Sequence, residues 1–445
     1  MHRTAEEQLS QWFSGRNRKP LVLRGARQVG KSTLVRMFAK EKGLAIHEIN
    51  LERHLYLGTV FRSGDIDSIM GELQGLTGEI SDQERSLLFL DEIHAVPEAI
   101  QALRYFYEDL PGLAVLAAGS LLEFTLSNHS FSMPVGRITY LHIAPMSFNE
   151  FLLAADPELH RFYSSWKLDH ELPESRHQKL LLRQREYLLV GGMPESIHVW
   201  TASGLYSQVQ DVQRSILDTY IDDFAKYARH SQLARLQRIL RSIPANLGRK
   251  IKYTNLSRDD RAAEVRSVID LLCKARICTA VFHSDCPGLP LGAGRDDTVF
   301  KLLFLDSGLV CLQLGLTAAQ LQKMDERTLV NESPLAEQFV GQELLAMYGG
   351  KHAPELYYWL REGRTSNAEL DFVISEQNTI IPVEVKAGKS GTLKSLHQFI
   401  AHKNVPRAVR FDLNRPSMQK LSVEGISCEL ISLPCYLAGR LMDFL

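Results

Sequence analysis

A short segment near the start of the chain combines residue types that bind phosphate groups. An apolar run, Leu21-Val22-Leu23, leads into Gly25, and Gly30 follows after four further residues, directly before Lys31 and Ser32. In such a loop the backbone N–H groups curl around phosphates, the lysine reaches the β and γ oxygens, and the serine hydroxyl can bind Mg²⁺. The helix predicted after the loop adds the positive end of its dipole. The segment therefore predicts a site for ATP or GTP, with ATP as the first ligand. The residues assigned to it are Gly25, Ala26, Arg27, Gln28, Val29, Gly30, Lys31, Ser32 and Thr33.

Two neighbouring carboxylates follow a second apolar run. Leu87-Leu88-Phe89-Leu90 ends in Asp91 and Glu92. We expect Asp91 to hold Mg²⁺, directly or through water, and Glu92 to polarise the water that attacks the γ-phosphate. Acids after a strand are often solvated turn residues, but the preceding phosphate loop favours the catalytic interpretation.

Two further residues are candidates for the same site. Ser120 follows the strand-like run at 113–118 and could sense the γ-phosphate, although a simple turn would look the same. Arg137 is the first candidate for neutralising charge in the transition state, from this chain or from a neighbouring copy, and Arg27 is the second. For either arginine, a structural salt bridge is the alternative.

The whole-chain composition is that of an ordinary globular protein. The 445 residues carry 23% charged and 45% apolar residues with a formal net charge of −1, so two to four compact units are expected and any nucleic-acid binding needs a local patch. The six cysteines lack zinc-site spacing, and neither a signal peptide nor an apolar stretch of about 18 residues is present. We expect reduced thiols, a cytoplasmic location and no membrane.

The elements that must position these residues follow an α/β pattern. Strand-like runs at 21–24, 44–50, 86–90, 113–118 and 138–141 alternate with helical patterns, one of them at 98–110, as a parallel sheet requires. We therefore expect an α/β fold with an N-terminal P-loop domain at 1–160, built around a parallel sheet sandwiched by helices. A helical linker or lid at 161–228 follows.

The middle of the chain is basic. Residues 229–276 hold twelve Lys and Arg against four Asp and Glu, and a helix pattern at 262–274 precedes two strand-like runs separated by a Pro- and Gly-rich stretch. Helices followed by such a hairpin predict a winged-helix-like domain at 229–325, with Arg258, Arg261 and Arg266 facing DNA phosphates. Alternatively, arginines such as Arg235, Arg238 and Arg241 cover a helix or pair with acids.

Several segments together resemble one protein family. They are GARQVGKST from Gly25, FLDEI from Phe89, AGS from Ala118, GR from Gly136, PMSFNEF from Pro145 and GGMPE from Gly191. In this order they resemble the bacterial and archaeal AAA-superfamily ATPases that carry a C-terminal DUF4143 domain. The resemblance implies an AAA+-type core, a winged-helix-like middle and, at 326–445, a small α/β domain resembling the PD-(D/E)xK (restriction-endonuclease-like) nuclease superfamily.

The C-terminal domain carries the residues of that nuclease pattern. Asp371, followed by Glu384 and Lys386 on the next strand, matches Asp…Glu-x-Lys, and alternation places Glu384 and Lys386 on one face. Asp371 and Glu384 would bind Mg²⁺ or Mn²⁺, and Lys386 would orient or deprotonate water. Glu337, after Ser333-Pro334, corresponds to the helical acid of such sites, although it is also a favoured first-turn residue. The proline that usually precedes the aspartate is missing, and a solvated strand face remains the alternative.

The sequence thus predicts an ATP-hydrolysing ATPase with a DNA-directed C-terminal half that cuts DNA under ATP control. Two alternatives stay open. The chain could be an ATP-dependent switch or scaffold whose C-terminal domain binds without cleaving, or a DNA motor, for which a homo-oligomeric ring is expected.

Overall fold

The computed structural model describes residues 1–120, 122, 134, 136–227, 230–257, 260–317, 333–350, 354–361, 367–386 and 393–445. They form two compact units. The first comprises Met1–Ala144, Lys274–Arg276 and Tyr348–Ala353, and the second comprises Pro145–Cys273, Ile277–Met347 and Pro354–Leu445. Within the described residues, no helix has both the length and the apolar character needed to cross a membrane.

The first unit is built around a five-stranded sheet. Its strands are β1 Leu21–Arg24, β2 Ala45–Asn50, β3 Ser86–Asp91, β4 Ala114–Gly119 and β5 Thr139–His142. Its helices are α1 Ala5–Phe13, α2 Lys31–Lys42, α3 Leu57–Arg62, α4 Ile66–Thr77 and α5 Pro97–Asp109, with short 3₁₀ turns at Leu51–Arg53 and Ile93–Ala95. The order is β2-β3-β4-β1-β5 and every pair is parallel. Because helices cover such a sheet on both faces, β3 and β4 are buried along their whole length.

The second unit begins with helices. They are α6 Phe148–Ala155, α7 Pro157–Ser165, α8 Glu174–Val190, α9 Pro194–Ser203, α10 Tyr206–Tyr227, α11 His230–Ser242, α12 Tyr253–Leu256 and α13 Ala262–Lys274. Three more helices, α14 Ser307–Gln313, α15 Ser333–Met347 and α16 Lys394–Lys403, lie among the later strands, with 3₁₀ turns at Pro244–Asn246, Leu291–Gly294 and Cys435–Asp443.

An eight-stranded mixed sheet forms the rest of this unit. Its strands are β6 Cys278–Ser284, β7 Arg295–Phe304, β8 Tyr357–Arg361, β9 Ala368–Glu376, β10 Thr379–Val385, β11 Arg407–Asp412, β12 Ser417–Val423 and β13 Ile426–Pro434. The order is β12-β13-β11-β10-β9-β8-β6-β7. The β6–β7 hairpin, predicted as the wing of a separate domain, therefore pairs through β6 with β8 of the C-terminal part. The four-part division of the chain stays a prediction, and the fold class is confirmed: an N-terminal P-loop-type parallel sheet, a helical middle and a C-terminal α/β part.

Two glycines explain one of the segments on which the family resemblance rests. Gly191 follows α8 at φ +75°, and a Cβ there would lie 2.1 Å from Oδ1 of buried Asp306. A Cβ on Gly192 would lie 2.2 Å from the carbonyl oxygen of Met146, whose N–H donates to the Gly192 carbonyl at 2.7 Å. Only residues without a Cβ permit this close approach of three chain segments.

Candidate nucleotide site and acidic cluster

The loop between β1 and α2 has the backbone that its sequence predicts. Gly30 caps α2 in the left-handed region at φ +89°, and Gln28 also has a positive φ of +64°. A Cβ on Gly25 would lie 2.2 Å from the carbonyl oxygen of Ile143, so a glycine is required there too. The result is a compact loop that ends at a helix N-terminus, which suits an anion.

Lys31 lies inside this loop. Its side chain is buried, and Nζ donates hydrogen bonds to the carbonyl oxygens of Gly25 at 3.1 Å and Ala26 at 2.8 Å. These neutral acceptors orient the ammonium without neutralising its charge. The loop therefore carries a buried positive charge, which suits an anion.

Ser32 and Asp91 meet at the carboxyl end of the sheet. Ser32 Oγ lies 3.0 Å from Oδ1 and 2.9 Å from Oδ2 of Asp91, so the hydroxyl donates to the carboxylate. Burial, together with the neighbouring charge of Glu92, raises the pKa of Asp91 above its ordinary value, although the Ser32 hydrogen bond opposes this. A hydroxyl and a buried carboxylate in contact fit the hard oxygen ligands that Mg²⁺ prefers.

Glu92 occupies a strained position beside His94. Its φ of +52° is unusual for a residue with a Cβ, and Oε2 lies 3.2 Å from Nδ1 of His94. Burial opposes ionisation of Glu92, but the His94 contact and the charges of Lys31 and Arg27 outweigh it, so the pKa of Glu92 lies below its ordinary value. The carboxylate is therefore ionised at neutral pH and can accept a hydrogen bond from water. The sequence reasoning missed His94, whose only signal was its place two residues after the acid.

Strand order brings Ser120 to the same edge. β4 lies between β1 and β3, so Ser120, the residue after β4, stands between the phosphate loop and Asp91. It is 2% exposed, and its Oγ has no hydrogen-bond partner among the described residues. A buried hydroxyl without a partner is costly unless a ligand satisfies it.

Arg137 contacts an acid on the first unit. Its Nε lies 3.1 Å from Oε1 of Glu108, which also pairs with Arg104, and the Arg137 side chain is 45% exposed. Its role as an activating arginine stays a prediction, as does that of Arg27.

In the second unit the predicted nuclease residues lie on neighbouring elements. Asp371 on β9 accepts a hydrogen bond from the N–H of Val385 on β10 at 2.7 Å through Oδ2. Glu384 on β10 is buried and forms an ion pair with Lys386 through Oε1. Glu337 on α15 is 6% exposed. The structure therefore brings the four predicted residues to one region of the sheet.

A residue that the sequence analysis did not single out lies at the centre of this region. Lys301 on β7 is 3% exposed, and its Nζ lies 3.2 Å from Glu337 Oε2, 2.6 Å from Glu369 Oε1 and 3.4 Å from Asp371 Oδ1. Burial disfavours its charged form, but the three carboxylates outweigh burial and raise the pKa of Lys301. The ammonium is a fixed positive charge within the acidic cluster, defined here as Glu337, Glu369, Asp371 and Glu384.

Two acids of the acidic cluster are harder to ionise than usual. Burial and the charge of Asp371 raise the pKa of Glu337 to about 8 and that of Glu384 to about 7. Both carboxyls are therefore partly protonated at neutral pH, and Lys301 and Lys386 offset part of the remaining negative charge.

The acidic cluster does not fit the divalent metal that a nuclease would need. One oxygen of Asp371 accepts a hydrogen bond from the Val385 N–H, and the other faces Lys301. Glu384 pairs with Lys386 through Oε1, and its Oε2 is buried without a partner among the described residues. Any divalent ion here would have to compete with the Lys301 and Lys386 ammonium groups for the same carboxylate oxygens. Across the described ranges, no group of three or more His, Cys, Asp or Glu is arranged to hold a metal ion.

The basic region is partly neutralised by acids. Arg235 and Arg238 each donate to Asp260 at 2.6 Å, which confirms for these two the alternative that they pair with acids. Arg266 lies over the Tyr253 ring, 5.9 Å from its centroid. Arg241 and Arg261 are exposed, and Arg258 lies outside the described residues.

Three family models match the chain. Residues 17–152 match a model described as AAA domain, residues 182–320 a domain of unknown function (DUF8612) and residues 332–436 a domain of unknown function (DUF4143). None of the curated proteins matches the sequence.

Solved structures resemble the chain at low sequence identity. A Walker-type ATPase of Pyrococcus abyssi is 15% identical over 69% of this chain and 94% of its own, with a TM-score of 0.43. The ORC2 protein of Aeropyrum pernix is 14% identical over 72% of this chain and 90% of its own, with a TM-score of 0.37. The RuvB Holliday junction branch migration motor of Thermotoga maritima is 18% identical over 65% of this chain and 90% of its own, with a TM-score of 0.29.

Proposed function

We propose that this chain, which carries an AAA domain of P-loop ATPase fold and a DUF4143 domain, hydrolyses ATP in a Mg²⁺-dependent reaction at residues 25–33, 91 and 92. One observation carries the proposal. Ser32 Oγ and the Asp91 carboxylate are in contact at the mouth of a loop that already holds a buried lysine. This combination suits a nucleotide triphosphate and its metal ion.

Each residue has a proposed task. Backbone N–H groups of the loop at 25–33 and the Lys31 ammonium bind the β and γ phosphates, and Ser32 with Asp91 would hold Mg²⁺. When bound, that ion neutralises charge on the phosphates. Glu92, kept ionised by its surroundings, accepts a hydrogen bond from the attacking water, and the Ser120 hydroxyl donates to the γ-phosphate.

The test is ATP hydrolysis by the purified full-length chain, measured as phosphate release with and without Mg²⁺. We expect Lys31→Ala to lose at least about 100-fold in rate, because a charge-assisted contact to the reacting phosphate disappears. Lys40→Ala, an exposed lysine on the same helix, is the matched control and should keep its activity. Undiminished turnover in Lys31→Ala would overturn the assignment of the site.

A second part of the proposal concerns DNA. The C-terminal domain would act on DNA under the control of the ATPase, either by cleaving it or, as a switch or scaffold, by binding it. The neighbourhood of Asp371, Glu384 and Lys386 supports a nuclease-like domain, whereas Lys301 among the acids favours binding without cleavage. We therefore favour the switch.

DNA binding is testable through the exposed arginines. We expect fluorescence anisotropy with a labelled duplex to show binding that weakens more than about tenfold between roughly 50 and 200 mM salt. The double variant Arg241→Ala/Arg261→Ala should bind more weakly, while Arg16→Ala, an exposed arginine of the first unit, should not. Binding that is absent or insensitive to salt would refute this part.

Arg137 supplies a link to assembly. It is half exposed and its ion pair with Glu108 can be exchanged, so we propose that it meets the ATP site of a second copy. Native mass measurement with a non-hydrolysable ATP analogue distinguishes a ring or dimer from a monomer. A purely monomeric chain with unchanged activity in Arg137→Ala would exclude this role.

A further inference from the structure

Lys301 stands where two elements, α15 and β9, bring three carboxylates together. Glu337 comes from α15, Glu369 and Asp371 lie two residues apart on β9 and so share one face, and all three lie within 4 Å of the Lys301 ammonium. The lysine reaches them across the face of the sheet, passing the ring of Tyr358, whose centroid lies 5.4 Å from Nζ. A protein holds a metal cation in a similar way, by placing several carboxylates around one positive charge.

We propose that the Lys301 ammonium takes the place of the divalent cation in the acidic cluster, so that this nuclease-like domain is a closed ion-pair core and does not hydrolyse DNA. The inference rests on the proposed nuclease likeness of the C-terminal domain and not on the ATP site. Failure of ATP hydrolysis would therefore leave it untouched.

Charge and space both favour the lysine over a metal ion. A cation entering the acidic cluster would have to share the space with the buried Lys301 ammonium or expel it, and expelling it would take a buried positive charge away from its partners. Gly248 packs closely against Glu337, because a Cβ there would lie only 3.1 Å from a Glu337 carboxylate oxygen. The β7 strand that carries Lys301 is hydrogen-bonded to β6 within the same sheet, so the ammonium is part of the folded core.

The first experiment compares Mn²⁺ binding to the full chain and to Asp371→Asn without nucleotide, by electron paramagnetic resonance of free Mn²⁺. An asparagine can still accept the Val385 N–H. We expect both proteins to bind the same number of ions, since any site near Ser32 and Asp91 is shared. Loss of one bound ion in Asp371→Asn would overturn the proposal.

The second experiment removes the ammonium. Lys301→Met removes the ammonium that faces Glu337, Glu369 and Asp371, so we expect Mn²⁺ at millimolar concentration to raise its Tm by at least about 3 °C while leaving the full chain and Lys252→Met unchanged. Lys252 is an exposed lysine of the same unit. No Mn²⁺ effect in folded Lys301→Met would contradict the proposal.

The double variant Lys301→Met/Glu337→Gln provides a second test in case Lys301→Met does not fold. It removes the ammonium together with one of the three carboxyls that face it, and its Tm should exceed that of Lys301→Met measured without metal. A Tm below that of the single variant would show that Lys301 does not act through Glu337.

DNA provides the functional readout. We expect the full chain, with Mg²⁺ or Mn²⁺ and with or without ATP, to leave plasmid and linear DNA intact. Cleavage that disappears in Asp371→Asn would overturn the proposal, because it would show that the acids act on a metal despite Lys301.

Discussion

Ser32 and Asp91, 59 positions apart in the chain, are joined by hydrogen bonds of 2.9 and 3.0 Å from one hydroxyl to both carboxylate oxygens. The contact ties the first turn of α2 to the end of β3. Since β4 lies between β3 and β1, Ser120, the residue after β4, lies at the same edge of the sheet. The proposed metal ligands are therefore positioned before any nucleotide arrives, which reduces the cost of ordering them on binding.

Replacing Asp91 by alanine should abolish most Mg²⁺-dependent hydrolysis. The variant removes the only carboxylate that contacts Ser32 within the described part of the chain, and we expect a loss of roughly 10²–10³ in kcat. Asp109→Ala, an exposed acid at the end of α5, is the matched control. Phosphate release at saturating ATP measures both, and equal rates would exclude a role for Asp91.

Glu92→Gln should separate binding from chemistry. The amide keeps the size of the side chain but cannot take a proton, so kcat should fall about 10²–10⁴-fold while ATP affinity, measured by calorimetry, stays within a few-fold. Glu79→Gln, an exposed acid of the same unit, should behave like the unmodified chain. A parallel loss of affinity would instead indicate that Glu92 helps to bind the nucleotide.

His94 should act as a positioning residue for Glu92. Because it contacts the carboxylate at 3.2 Å and favours its ionised form, His94→Ala should lower kcat less than Glu92→Gln does and leave KM nearly unchanged. The acidic limb of the kcat profile should also move to higher pH, since Glu92 loses a contact that lowers its pKa. A profile that does not move would contradict this role.

Stability should decrease as the pH rises from about 5 to about 8. Burial, with the charge of Glu150 adding to it, raises the pKa of Glu343 to about 8, whereas an exposed glutamate titrates near 4.5. The folded state therefore holds more protons than the unfolded chain in this window. The part of the free energy of unfolding that protonated Glu343 supplies below pH 4.5 is lost as the pH rises through 8.

The Glu343→Gln variant isolates that contribution. Its side-chain oxygen can still accept the Phe148 N–H, a 2.8 Å bond in the structure, but it cannot ionise. We expect its Tm to vary less between pH 5 and 8 than that of the unmodified chain or of the exposed-site control Glu84→Gln. Parallel curves for all three proteins would show that Glu343 does not titrate in this range.

Gly191→Ala should destabilise the second unit strongly. The new methyl group would meet the Asp306 carboxylate at 2.1 Å in addition to the strain of its positive φ, so we expect a loss of about 2–4 kcal/mol in the free energy of unfolding. Gly204→Ala shares a positive φ but meets no atom within 4 Å, and should cost only about 1–2 kcal/mol. Urea unfolding of both variants measures the difference, and equal losses would exclude the Asp306 contact as the cause.

Much of the first unit could be predicted from local patterns. The apolar runs at 86–90 and 113–118 and the helical pattern at 98–110 agree with β3, β4 and α5 to within a residue or so. Such runs report on burial directly, because a strand covered on both faces is apolar throughout. The glycine and lysine spacing of the phosphate loop is equally local, since the loop forms within a few residues.

Other features depended on residues distant in the chain. Lys301 looks like any polar residue of a hairpin, and its place among Glu337, Glu369 and Asp371 exists only because β7 and β9 belong to one sheet. The pairing of Arg235 and Arg238 with Asp260 and the contact of Glu92 with His94 likewise needed the fold.

The amino-acid sequence alone was enough to predict a phosphate-binding loop, a strand that ends in carboxylates and the α/β class, because each is encoded by neighbouring residues and by periodic burial. Which charges meet became known from the folded chain. Electrostatic partners are chosen by distance in space, and the sequence does not state whether an acidic cluster will face solvent, a metal ion or a lysine from another strand.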